Sequence, residues 1–205
     1  MTVGGELERT LRQRRSVRKF REAPVPHELL RRIVAAGTWA PSAGNRQHWE
    51  FTVVVSEKVR RQMAEAVRER WTAILDGAEA ESLVGEIKEY SGNFDWFAAA
   101  PVVVVVSAGS PAAFLSHLLR DNAIDVAGAK TAAAMAAQNL MLAAHALGLG
   151  TCCLTGPLAA QEDLRRVTGL GRRQSIVCLV ALGYPAEAPP ERPRKPLSAV
   201  MRIVE

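Results

Sequence analysis

The chain lacks most of the features that announce a metal centre, a stapled fold or a nucleotide-binding turn. Cysteines number three, Cys152, Cys153 and Cys178; they cannot all pair within one chain, and two are adjacent, which disfavours a simple bridge. None stands in a Cys-x-x-Cys spacing, so an iron–sulfur cluster or structural zinc has no basis. A reducing compartment is the expectation. No Gly-x-Gly-x-x-Gly follows a strand and no Walker phosphate loop occurs, which removes the anchor for a Rossmann or nucleotide-hydrolase reading. The four histidines, His27, His48, His117 and His145, are scattered, and each reads as a solvated or hydrogen-bonded side chain rather than a ligand or base. No nucleophile is singled out.

Strongly apolar runs are equally scarce. The opening Met1-Thr2-Val3-Gly4-Gly5-Glu6 has no apolar core of a signal peptide, and the expectation is cytoplasmic. Residues 131–150 are dominated by alanine and carry Gln138, Asn139 and His145, whereas a membrane span needs about 20 strongly apolar residues. They read as a buried helix and a candidate subunit interface, with no membrane partner. Acidic residues are absent from Arg9 to Arg21, a stretch that holds seven of the chain's basic residues. Single-strand nucleic-acid binders interleave aromatics with such clusters; Phe20 alone does so here, and no nucleic acid is expected. A formal charge of +5 is modest and favours small anions.

At 205 residues, 48% hydrophobic and 23% charged, the chain suits one domain with a real core. Helices are predicted over residues 5–14, 27–38, 57–75, 158–167 and in the alanine-rich run to about Leu147, ended by Gly148. Strands are predicted over 50–55, 102–106, 151–154 and 175–182. Five consecutive valines, Val102 to Val106, mark a central strand buried on both faces. Residues 77–97 read as a mixed helix and lid, and a short helical segment leads to Asp121. From Tyr184 onward, prolines at 185, 189, 190, 193 and 196 make an extended tail able to wrap a partner. The sum is a three-layer α+β unit over residues 1–205 with no internal boundary.

Chemistry concentrates in two short runs. In an extended Arg14-Arg15-Ser16-Val17-Arg18, side chains alternate, so Arg14, Ser16 and Arg18 can reach one ligand while Val17 faces the core. Guanidinium forks donate paired hydrogen bonds to phosphate oxygens. Pro41-Ser42-Ala43-Gly44-Asn45-Arg46-Gln47-His48-Trp49 is a polar, turn-rich loop closed by an aromatic. Together they suit a phosphorylated cofactor with a flat, hydrogen-bonding ring. Cys152 and Cys153 read as small packing residues of a strand.

These runs, with Gly148-Leu149-Gly150-Thr151-Cys152-Cys153-Leu154-Thr155-Gly156, Ala181-Leu182-Gly183-Tyr184-Pro185 and Arg192-Pro193-Arg194-Lys195-Pro196-Leu197, resemble successive blocks of the FMN-dependent nitroreductase family over nearly the whole chain. The resemblance implies a three-layer α-β-α fold with a mainly antiparallel central sheet, in an intertwined homodimer whose tails, residues 184–205, embrace the neighbouring subunit. It implies FMN held at its phosphate, ribityl chain and pyrimidine edge by Arg14, Arg15, Ser16 and Arg18, with Arg192 and Arg194 closing the phosphate side. Pro41, Ser42, Ala43, Asn45 and Gln47 of the second subunit would line the isoalloxazine. Cys153, Leu154, Thr155 and Gly156 would pack beside it, with a backbone N–H near Gly156 at flavin N5.

The implied reaction is ping-pong: NADH or NADPH gives its hydride to the flavin, and a nitroaromatic, quinone or related acceptor takes two electrons in the same pocket. No catalytic side chain is required. The alternatives are a reductive dehalogenase, since deiodinase relatives share the Arg-Arg-Ser-Val-Arg block, and a non-catalytic FMN carrier or sensor. His48 replaces the family's usual proline before the tryptophan, and Thr155 stands where some members have an acidic residue. Ser16 stands where the flavin-destroying synthases of the superfamily tend to carry aspartate.

Overall fold

The computed structural model describes residues 3–77, 95–109 and 122–205. Helix α1 spans Val3–Gln13, α2 His27–Gly37, α3 Glu57–Asp76, α4 Asn122–Ala146 and α5 Gln161–Thr168. The strands are β1, Trp49–Val54; β2, Val102–Gly109; β3, Gly150–Leu154; and β4, Gln174–Gly183. They form a four-stranded antiparallel sheet in the order β1-β2-β4-β3.

The valine run explains why the sheet is a middle layer. Side chains alternate along a strand, and Val102, Val104 and Val106 enter the core shared with α2 and α4, while Val103 and Val105 enter the one shared with α3 and α5. Each buried valine contributes about 1.5–3 kcal/mol of transfer free energy. Helix α4 presents Ala129, Ala133, Ala137, Leu140 and Ala144 to the first core, and these small side chains let α2 pack closely on it. No helix among the described residues is long and apolar enough to cross a membrane.

Helix ends follow the local chemistry. The Ser56 hydroxyl caps α3 by accepting from the Val59 N–H at 3.4 Å, and α4 gives way to Gly148 with φ +77°, a left-handed turn that glycine adopts without steric cost. One predicted helix starts late. Instead of running from residue 158, the chain makes a 3-10 helix, Gly156–Ala160, and only then enters α5. Pro157 lies at its start and Ala160, with no capping side chain, immediately precedes α5. Proline fixes φ and lacks an N–H donor, and the unpaired first turn tightens.

The lid expected within residues 77–97 falls mostly on 78–94, outside the described residues; 95–100 return as a turn around the 3-10 helix Trp96–Ala99. The helical segment expected before Asp121 falls on 110–121, likewise outside them. After β4 the chain is extended and, from residue 191, exposed throughout, with one 3-10 turn at Leu197–Ala199. Its apolar side chains are bare: Leu197 is 71%, Ile203 72% and Val204 79% exposed.

Candidate functional site

Segment 14–18 leaves α1 and lies along the free edge of β3. The Val17 N–H donates to the Thr151 carbonyl at 3.0 Å, and Ser16 pairs with Thr151 in a parallel bridge. Val17 is buried. It sits directly on Gly150, where a Cβ would stand 2.9 Å from its side-chain carbons. The alternation anticipated from sequence holds, with Ser16 half-buried and Arg18 exposed on either side of the anchored valine.

The tail returns to the same place through two glutamates that sequence reading did not single out. Glu187 accepts from the Arg18 N–H at 2.6 Å and the Lys19 N–H at 3.0 Å. The Arg18 backbone hydrogen bond holds its carboxyl below the usual carboxylate range, with the Lys19 N–H and the two side-chain charges adding to it. Glu191 pairs with Arg15 at 3.6 Å. Between them, Phe20 bridges Pro185 and Ala186 donates to the Lys19 carbonyl at 2.9 Å. These contacts bring the backbone that carries Arg192 and Arg194 back beside segment 14–18. Only the folded chain joins residues so far apart in sequence, which is why no local signal marked them.

Four guanidiniums of this neighbourhood, Arg14, Arg18, Arg192 and Arg194, make no ion pair among the described residues. A cavity of about 410 Å³ opens at Arg14, lined also by Arg15, His145, Gly150, Thr151 and Glu187. Burial, then the charges of Arg14 and Arg15, push His145 below its ordinary range. The Thr151 hydroxyl is buried without a hydrogen-bond partner among the described residues. This donor-rich, acceptor-poor surface fits a phosphorylated group, since arginine recognises phosphate oxygens by paired hydrogen bonds.

At the other end of β3, Cys153 and Thr155 are exposed, Leu154 is buried and Gly156 half-buried. Trp71 fixes this corner by donating from Nε1 to the Gly156 carbonyl at 3.2 Å. Three residue steps along β3 from Thr151 to Leu154 span about 10 Å at the usual strand rise. The basic segment and the corner thus lie at opposite ends of one strand edge, as an extended ligand with a charged end and a flat end requires.

The loop of residues 41–47 is elsewhere. It leads into β1, and two whole strands separate β1 from β3, a distance of about 14 Å across the sheet. Its 3-10 turn, Ala43–Asn45, packs on α4. The loop is tightly built: the Ser42 hydroxyl accepts from the Gln47 N–H at 3.0 Å, and Gln47 Nε2 donates to Asn45 Oδ1 at 3.1 Å. Asn45 and Gln47 have φ of +53° and +49°, a left-handed geometry that is costly for side chains and collects at ligand sites. Pro41, Ala43, Asn45 and Gln47 are exposed and Ser42 half-buried. Within one subunit, then, the structure joins the 14–18 segment, the tail and the β3 corner, and leaves the 41–47 loop at the opposite edge.

Comparison with known proteins bears on the family and the fold. A family model described as Nitroreductase family matches residues 11–184. A protein named NADH dehydrogenase from Thermus thermophilus is 31% identical over 196 residues, covering 92% of this chain and 91% of its own. The crystal structure of a BluB-like flavoprotein from Clostridium difficile 630 superposes with a TM-score of 0.84 at 25% identity, covering 97% of this chain and 99% of that one. A nitroreductase with bound FMN from Desulfitobacterium hafniense superposes with a TM-score of 0.75 at 25% identity, with 98% of each chain covered.

Proposed function

Because the chain belongs to the nitroreductase family, we propose that it is a cytoplasmic FMN-dependent NAD(P)H oxidoreductase. It would reduce nitroaromatic, quinone or related electrophilic acceptors by two electrons in a ping-pong cycle. The observation that carries this reading is the Val17 to Thr151 hydrogen bond, which ties the basic segment to the strand that ends at the 153–156 corner. FMN, when bound, supplies hydride and electron transfer at its N5.

The chain's own residues bind and orient. Arg14, Arg15, Ser16 and Arg18 hold the phosphate, the ribityl chain and the pyrimidine edge, and Arg192 and Arg194 close the phosphate side. Glu187 positions the backbone by accepting from two N–H groups, and Glu191 pairs with the Arg15 side chain. Cys153, Leu154, Thr155 and Gly156 would pack beside the isoalloxazine of a bound FMN, with a backbone N–H near Gly156 toward its N5. Fixed guanidinium and N–H donors would stabilise negative charge on a bound flavin ring. Water supplies protons.

The loop bearing Pro41, Ser42, Ala43, Asn45 and Gln47 completes this wall from a second copy of the chain. Its position at the opposite sheet edge supports a homodimer in which each cofactor touches both subunits. The exposed apolar tail residues Leu197, Val200, Met201, Ile203 and Val204 would be covered where the tail wraps the partner.

The visible spectrum of the purified protein, followed by anaerobic addition of NADH and NADPH, tests the proposal. Flavin bands that bleach with either nucleotide, and steady nucleotide consumption with a nitroaromatic or quinone, are expected. Bleaching without turnover on any acceptor would assign a flavin carrier, and halide release from a halogenated aromatic would assign a dehalogenase. A protein that stays colourless after incubation with FMN overturns the reading.

A further inference from the structure

One buried cation stands apart from the basic segment. Arg60, in the first turn of α3, is 7% exposed and is the only buried charged residue among the described residues. Its Nε donates to the Ala98 carbonyl at 3.3 Å and its Nη1 to the Val55 carbonyl at 2.6 Å, which ties the end of β1 to the 3-10 turn before β2. Those two bonds need donors, not a charge. Among the described residues no carboxylate lies within ion-pair distance of the guanidinium. Glu57, one turn back, pairs instead with Arg61 at 2.5 Å. Burial pushes Arg60 below its ordinary range, with the Glu57 charge acting against it. A buried charge without a counter-charge is costly, yet the fold keeps this one.

The donors that remain face a cavity. Nη2 makes no hydrogen bond among the described residues and is not sealed from water, and Arg60 lines a cavity of about 830 Å³. Pro24, Val25, Val55, Ala99, Pro101 and Val102 give it apolar walls. Neither carboxylate of the lining answers the guanidinium, since Glu57 is held by Arg61 and Glu22 is exposed to solvent. An enclosure of about 300–1,000 Å³, mostly apolar with a few oriented polar groups, is the usual build of a small-molecule site. This one shares no lining residue with the cavity at Arg14.

We propose that this cavity is a binding site for a small organic anion, a monocarboxylate with a compact apolar body, whose carboxylate accepts hydrogen bonds from Arg60. Guanidinium donors pair well with carboxylate oxygens, and the ligand supplies the counter-charge that the two backbone carbonyls do not. Its body rests on the valines and prolines of the walls. One buried cation matches one negative charge; a phosphate would leave a second charge unmatched against apolar walls, which is unfavourable. Because the two cavities have no residue in common, the carboxylate and a flavin at the basic segment are held independently of one another.

Calorimetric titration of the full chain at neutral pH with cyclohexanecarboxylate, and with the uncharged cyclohexanecarboxamide, tests this, in the absence of FMN and at saturating FMN. The carboxylate is expected to bind at least about tenfold more tightly than the amide, as a charge-assisted hydrogen bond is worth, with the same affinity whether or not FMN is present. Arg60→Met, which keeps length and removes the charge, should abolish the preference for the acid. Ala99→Phe, at an exposed wall position that leaves both Arg60 hydrogen bonds in place, should fill the cavity and weaken both probes by about tenfold or more; it decides the matter if Arg60→Met fails to fold. No saturable binding, equal affinity for acid and amide, or undiminished binding in Ala99→Phe overturns the site. Displacement of the probe by FMN would put the probe at the flavin and overturn it as well. A chain that binds no FMN overturns the cofactor reading alone, because the titration without FMN stands on its own.

Discussion

Val17 and Gly150 touch so closely that a single added methyl group would not fit between them: a Cβ on Gly150 would lie 2.9 Å from the Val17 Cβ and both of its methyls. The contact seats segment 14–18 on β3, and the Val17 N–H bond to Thr151 depends on it. Gly150→Ala is expected to cost about 1–3 kcal/mol by overpacking, and to weaken FMN retention because the basic segment lifts from the strand. Thermal melting of the apo-protein and an FMN titration of the same variant measure the two effects.

Arg18→Ala combined with Arg194→Ala removes two exposed guanidiniums that have no ion-pair partner among the described residues. The variant should fold normally. A charge-assisted hydrogen bond contributes about 1.5–3 kcal/mol, so FMN affinity should fall by about a hundredfold or more. Undiminished flavin content after gel filtration would contradict the phosphate assignment.

Glu187 links stability to pH. Its carboxyl is held low in the folded protein, chiefly by the Arg18 N–H, so its contribution is fully present above the unfolded-state carboxylate range. That contribution is lost as the pH falls through the lower folded value. Glu187→Ala should therefore melt below the wild type at neutral pH, and the gap should narrow on acidification. A gap that stays constant from pH 7 to acid would show that the carboxylate charge plays no part.

Subunit complementation tests the shared site. One chain carrying Arg18→Ala and Arg194→Ala, and another carrying Asn45→Ala and Gln47→Ala, should each bind FMN poorly as homodimers. A mixed dimer contains one site with both defects and one with neither. Coexpression with two affinity tags should yield a mixed dimer holding about one FMN, in line with an isologous interface. Flavin-free mixed dimers would place the 41–47 loop in its own chain's site, and a loop variant that binds FMN normally would place it outside the site.

Much of the fold was legible because its signals are local. Five valines in succession marked a strand buried on both faces, and the core confirms that with alternate residues in two clusters. Ser56 before α3 and Gly148 after α4 are caps that sequence carries openly. The predicted start of α5 at residue 158 is three residues early because the chain completes a 3-10 turn, with Pro157 at its start, before the α-helix begins. In the candidate site, Arg14 through Arg18 were legible as an extended donor run. Glu187, Glu191 and Trp71 were not: each acts on a residue between 85 and 176 positions away, and only the folded chain supplies that proximity.

The two edges of the sheet set a thermodynamic condition as well as a spatial one. With the 41–47 loop at the β1 edge and the 153–156 corner at the β3 edge, a ligand that must touch both can be gripped only by two chains at once. Ligand affinity and self-association then become one linked equilibrium. Flavin would act as glue between subunits, the protein would hold it more tightly the more of itself was present, and simple dilution would be enough to release it.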